Sequence, residues 1–146
     1  MNISEIIETK GAEVVTIKDE STVCDAIAML VRNKIGALLV LDGESNIVGI
    51  ISERDILTET CRSNGDFKEA VVGDVMTRDV IIGRSGDDLD YVEHVMTQNR
   101  IRHLPVLEGK KLVGIVSIGD VVKANMTASE VENRYLMDYI KNGYPG

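Results

Sequence analysis

The stretch NKIGALLVL at 33 to 41 returns as NRIRHLPVL at 99 to 107, with Asn, Ile, Leu, Val and Leu kept in place at an offset of 66. VGIISERDI at 48 to 56 returns as VGIVSIGDV at 113 to 121 at an offset of 65, so the first copy carries one extra residue in the turn between the two blocks. Upstream, ISEII at 3 to 7 resembles VGDVM at 72 to 76. A duplication of this length within 146 residues constrains the fold more than any composition does. The chain has room for one compact core, or for two half-size units sharing one, and not for two independent large domains.

Periodicity orders the elements within each copy. Val14 to Ile17 and Val80 to Ile82 are short β-branched runs, expected as strands. Ser21 or Thr22, and Asp87 or Asp88, then offer N-caps. Helical spacing follows: Val23, Ala26, Ile27, Leu30 and Val31 in one copy, and Leu89, Val92, Val95 and Met96 in the other, each a stripe to be buried. Ala37 to Leu41 and His103 to Leu107 read as buried strands. Short polar turns lead to second strands at Ile47 to Ile51 and Leu112 to Val116. Ser52 and Ser117 are placed to cap closing helices that begin at Glu53 and Ile118. Each repeat is therefore strand, helix, strand, strand, helix. A unit of about 50 to 60 residues has a thin core and one bare sheet face, so the copies are expected to pack through their sheets.

The tail from Ala128 to Asn142 reads as a packing helix, with Ser129 and Glu132 as a capping box and Val131, Tyr135 and Tyr139 along one side; Gly143, Pro145 and Gly146 read as a flexible end. Cys24 is expected in a helix core and Cys61 in a loop. With neither a CxxC nor a Cys/His cluster, a zinc site or disulfide framework is not indicated. His94 falls on the polar side of its helix.

Sixteen Lys and Arg against 24 Asp and Glu leave a net charge of −8, which repels a phosphate backbone. One Phe and no Trp supply few platforms for stacking bases. Nucleic acid is thus excluded as a default partner. The longest apolar run, Ala37 to Leu41, is far short of the roughly 20 residues of a membrane helix, and MNISEIIETKG has no basic and apolar leader pattern. No membrane attachment and a cytoplasmic location are the expectation. GxSxG, HExxH and P-loop patterns are absent, so no motif points to hydrolysis or phosphoryl transfer.

The blocks GIISERD at 49 to 55 and GIVSIGD at 114 to 120 carry the chemistry. In each, a strand ends on a serine at a helix start and an aspartate follows one turn on. An ordinary capping box has the same spacing, but here it occurs twice at equivalent positions. The blocks resemble the signature of CBS motifs. The resemblance covers roughly residues 1 to 125 and implies a mixed α/β (α+β) fold of two βαββα CBS motifs related by a pseudo-twofold, often assembled as a homodimer through helices. The expected boundaries are 1–62 for the first motif, 63–71 for a linker, 72–125 for the second motif and 126–146 for the C-terminal helix and tail.

It also implies a ligand-binding regulatory module for an adenine nucleotide such as AMP, ADP, ATP or NAD, and not an enzyme. A helix start supplies free N–H groups for a phosphate and the aspartate can accept ribose hydroxyls, so Ser52 or Ser117 would meet phosphate and Asp55 or Asp120 ribose. In the second copy Arg102 and His103, just before Pro105, form a possible anion clamp, with one of the two free to face solvent. Gly36 and Ala37 occupy the matching places without charge. Arg54 could add a phosphate contact that Gly119 cannot. The family's adenine-reading segment corresponds to Thr16, Ile17 and Lys18 and to Ile81, Ile82 and Gly83, with Ile35, Ile101 and Leu104 sandwiching the base. Non-identical clefts follow. The competing readings are a protein-interaction dimer with empty clefts, working with an unidentified effector protein, and a small nucleotide-acting enzyme.

Overall fold

The computed structural model describes residues 1–11, 13–126 and 128–138. Its elements run α1 (Ile3–Lys10), β1 (Thr16–Lys18), α2 (Val23–Asn33), β2 (Ala37–Leu41), β3 (Ile47–Ser52), α3 (Glu53–Ser63) and α4 (Val72–Val75). They continue β4 (Gly83–Arg84), α5 (Leu89–Asn99), β5 (His103–Glu108), β6 (Lys111–Ser117), α6 (Ile118–Asn125) and α7 (Ala128–Asp138). The chain divides into a continuous unit, Ala12–Ile82, and a discontinuous one, Met1–Gly11 together with Gly83–Gly146. The repeat in the sequence and the unit of packing are thus different partitions: each sequence copy gives its leading helix to the unit that holds the other copy's strands.

In the continuous unit the sheet order is β1-β2-β3, with β1 parallel to β2 and β2 antiparallel to β3. The central position of β2 explains why Ala37, Leu38, Leu39 and Val40 are all buried: a strand paired on both edges and covered on both faces has no polar side. The core joins Ile17, Leu38, Val40 and Ile51 to Ala26 and Leu30 of α2 and to Val72 and Met76. Thr22 caps α2 by accepting the Asp25 amide at 3.1 Å. Within the stripe expected to be buried, Val23, Ala26 and Leu30 are inside, whereas Val31 is 73% exposed, one step too far around the helix.

The discontinuous unit repeats the arrangement as β4-β5-β6. Leu89, Val92 and Met96 of α5 are buried, and Asp88 caps the helix. Here α1 lies against β6 and α6, burying Ile3, Ile6 and Ile7.

The first strand of each copy differs from expectation. Strand β1 starts at Thr16, and the second copy's strand is Gly83–Arg84, leaving Val80 to Ile82 outside it. The reason is Pro105. Ile50 exchanges both backbone hydrogen bonds with Thr77 on the outer edge of β3, so its partner Leu39 turns its N–H and C=O toward β1 and makes the Thr16 rung. The equivalent residue in the second copy is Pro105, which has no N–H to give, and the parallel ladder begins one rung later at Gly83 and Val106. Gly83 then takes the buried place of Ile17: a Cβ there would lie 2.7 Å from Leu104 Cδ2 and 3.2 Å from Ile3 Cδ1.

Three further expectations are corrected. Cys24 lies on α2 but is exposed, and Cys61 is in α3 and exposed rather than in a loop. Tyr135, Leu136 and Met137 of α7 are exposed, so these described side chains do not close a core. The side chains of Ser129, Val131 and Glu132, and Tyr139 with the residues to Gly146, lie outside the described set.

A strand glycine seats each leading helix. A Cβ on Gly49 would stand 2.5 Å from Met76 Sδ and 2.8 Å from the Thr77 carbonyl oxygen, and one on Gly114 would stand 3.2 Å from Ile7 Cδ1. A methionine tail can move aside, but the Thr77 backbone is fixed by its pairing with Ile50. Gly49→Ala is therefore expected to lower stability by about 1 to 3 kcal/mol in urea titration. Gly43→Ala, which meets nothing within 4 Å, should change it by less than about 1 kcal/mol.

Candidate functional site

The repeated serine and aspartate blocks form the same local device in both units. Ser52 and Ser117 are the N-caps of α3 and α6, each in a reciprocal capping box with Asp55 or Asp120. The amide of Ser52 donates to Asp55 Oδ2 at 2.9 Å, and that of Ser117 to Asp120 Oδ2 at 2.8 Å. The first helical amide is also used. Glu53 donates to the Gly36 carbonyl at 3.0 Å, and Ile118 to the Arg102 carbonyl at 2.8 Å. This bond ties the helix start to the residue preceding the central strand, so the anion-accepting end of each helix is narrower than four free N–H groups would suggest.

The remaining bonds separate the two sites. In the continuous unit Asp55 is committed at both oxygens: Oδ2 also accepts the Ser52 hydroxyl at 3.1 Å, and Oδ1 accepts the Thr77 hydroxyl at 2.9 Å. In the discontinuous unit Oδ2 of Asp120 accepts Lys10 Nζ at 2.7 Å, while Oδ1 accepts nothing from the described residues. The Ser117 hydroxyl accepts the Asp120 amide at 3.1 Å and lies beside the Asp120 carboxylate, which it helps to hold in its charged form. A Cβ on Gly119 would meet only Ser117 Oγ, at 3.6 Å, so the space over this hydroxyl is open.

Burial pushes the Asp120 carboxyl up, but the Lys10 hydrogen bond, the Ser117 amide, the Lys10 charge and the Ser117 hydroxyl together outweigh it and hold Asp120 below the ordinary aspartate value.

Strand register brings the second-copy candidates together. His103 lies opposite Ser117 across β5 and β6, and Arg102, exposed, adjoins it. Ala37 lies opposite Ser52 in the same way, buried and without charge. Arg54 is exposed on the first turn of α3. Of the residues expected to sandwich a base, Ile35 and Ile101 keep exposed surface, but Leu104 is 1% exposed and belongs to the core, as does Pro105. Ile35 and Gly36 also line a groove of about 600 Å³ with Leu30, Val31, Lys34 and Leu57. Ile17 is buried and Lys18 Nζ donates to the Asp42 carbonyl at 3.2 Å, so the β1 segment offers backbone more than side chain. Ile81 is half-buried and Ile82 37% exposed, ahead of β4. Lys10 and Thr77 were not expected at the site. Their only signal was the likeness of ISEII to VGDVM: Thr77 directly follows the second block, and Lys10 ends α1 three residues after the first.

A family model for the CBS domain matches residues 3–60 and 72–127. This chain belongs to the CBS-domain family. It carries the domain twice, and a CBS-domain pair is a regulatory module. Over 150 residues it is 35% identical to the CBS domain-containing protein CBSX3, mitochondrial, of Arabidopsis thaliana, covering 97% of this chain and 73% of that protein. The crystal structure of the CBS-domain containing protein ATU1752 from Agrobacterium tumefaciens matches with a TM-score of 0.83 at 34% identity, over 86% of this chain and 93% of that one. The CBS domain pair of protein MJ0100, solved in complex with 5′-methylthioadenosine and S-adenosyl-L-methionine, shares the fold at a TM-score of 0.73 and 24% identity, over 85% and 94% of the two chains. Among the described residues no helix is long and apolar enough to cross a membrane, and no three His, Cys, Asp or Glu side chains are grouped to hold a metal ion.

A depressed carboxyl pKa contributes stability above the unfolded value and loses it as the pH falls through the folded one. The difference in urea midpoint between the native chain and Asp120→Asn should thus be constant above about pH 5 and close below about pH 4.

Proposed function

We propose that this CBS pair is a non-catalytic sensor of an adenosyl ligand of the AMP, ADP, ATP or NAD type, with the Ser117 to Asp120 turn as its principal site. One observation carries the reading. Asp120 Oδ1 accepts nothing from the described residues, whereas both oxygens of Asp55 are taken, Oδ2 by Ser52 and Oδ1 by Thr77. A ribose diol needs an acceptor, and a phosphate needs a donor beside a helix start. Arg102 and His103, next to Ser117 by register, add donors that Gly36 and Ala37 lack. The adenosyl compounds bound by the MJ0100 pair support this ligand class.

Titration calorimetry with AMP tests the ranking. Asp120→Ala should cost about 1.5 to 3 kcal/mol of affinity, the worth of hydrogen bonds to a charged group, or roughly 10- to 150-fold. Asp55→Ala should cost less than about 3-fold. Equal losses would reverse the assignment of the sites, and no uptake of AMP, ATP or NAD would end the sensor reading.

A second copy of the chain is the partner we infer. Leu57 is 70% and Val122 51% exposed, at equivalent positions of α3 and α6. The apolar groove beside Leu57 has Lys34 and Glu53 on its lining, opposite charges that a twofold-related copy can pair reciprocally. Leu57→Glu should shift the sedimentation coefficient from dimer to monomer; a monomeric native chain would refute the assignment.

A further inference from the structure

Both units present the same two acceptors at the outer edge of their last strand but meet them with different donors. In the continuous unit Thr77 gives its amide to the Ile50 carbonyl at 2.9 Å and its hydroxyl to Asp55 Oδ1 at 2.9 Å. In the discontinuous unit the repeat-equivalent acceptors, the Ile115 carbonyl and Asp120, both take Lys10 Nζ, at 2.8 and 2.7 Å. One ammonium therefore replaces an amide and a hydroxyl. Its side chain is 41% exposed, and an ammonium has three N–H donors, of which two are used here.

The exchange alters charge as well as bonding. Every donor on Asp55 is neutral, so no cation is bonded to that carboxylate at the start of α3. Asp120 is paired with a cation, so the start of α6 carries no uncompensated acid from its own capping box. An anion seated at a helix start lies within a few ångströms of this aspartate, where a bare carboxylate repels it and a paired one does not. In a chain of net charge −8 that local compensation matters more.

Resting on the adenosyl-site reading above, we propose that Lys10 is a specificity-determining residue. By neutralising Asp120 it lets the Ser117 to Asp120 site take a phosphate-bearing adenosyl ligand, while adenosine itself needs no such help. Lys10 stays on Oδ2, and the ribose uses the open Oδ1.

Titration calorimetry with AMP and with adenosine, on the native chain, Lys10→Met and Lys10→Arg, separates the possibilities. Lys10→Met should weaken AMP about 10-fold or more and adenosine less than about 3-fold, and Lys10→Arg should hold AMP within about 3-fold of native. If Lys10→Met does not fold, Lys10→Gln, which keeps a neutral donor for the Ile115 carbonyl, carries the same comparison. Equal losses for both ligands would make Lys10 a structural tie, and tighter binding would make it a competitor; either overturns the proposal. A native chain that binds both ligands with no effect of Lys10→Met refutes the role of Lys10 alone. A native chain that binds neither removes the site reading and this inference together.

Discussion

In each sheet a glycine of the last strand lies against a helical segment drawn from the other sequence copy, and the closeness of that contact fixes the rest of the site. Gly49 admits Met76 and Thr77, and Gly114 admits Ile7. Because no side chain intervenes, Lys10 at the end of α1 and Thr77, two residues past α4, reach the strand edge and the aspartate past it. Thr77 thereby arrives at Asp55 and Lys10 at Asp120. The glycine that opens the repeated block is first a packing device. The chemistry of the block depends on it at one remove.

Much of this was legible because it is local. The capping serines, the aspartates three residues later, the hairpins and the helix starts at Thr22 and Asp88 all follow from short-range rules about orphan amides and alternation. The internal repeat then made the family recognisable. What escaped was set by distance along the chain. Lys10 meets Asp120 across 110 positions, and nothing in either local sequence announces the other. The short β4 was hidden differently: Val80 to Ile82 have strand composition, but the rung they would make needs a donor at Pro105. Cys61 was placed in a loop because α3 loses its apolar periodicity after Leu57, whereas the helix continues to Ser63, with Glu59 and Arg62 paired one turn apart.

The duplication has not produced two equal sites. Backbone geometry is shared down to the bulge after the fourth rung of each hairpin, yet the groups left free differ. In the continuous unit both oxygens of Asp55 accept neutral donors, one of them the Thr77 hydroxyl supplied by the other sequence copy. In the discontinuous unit Asp120 meets the ammonium of Lys10, also from the other copy, and its Oδ1 accepts nothing from the described residues. Divergence between duplicated modules here runs through a few donors on a common frame, with no change in the frame itself.

The crossing of the chain between its two units bears on how the protein is made. Helix α1 is synthesised about a hundred residues before the strands it covers, and closing so long a loop is slow compared with forming the local hairpins. The continuous unit, by contrast, is complete once residue 82 has been added. During synthesis the buried face of α1, with Ile3, Ile6 and Ile7, therefore waits without its partner while the middle of the chain can already fold. Helix α1 thus meets its strands only after every residue of the continuous unit has been made.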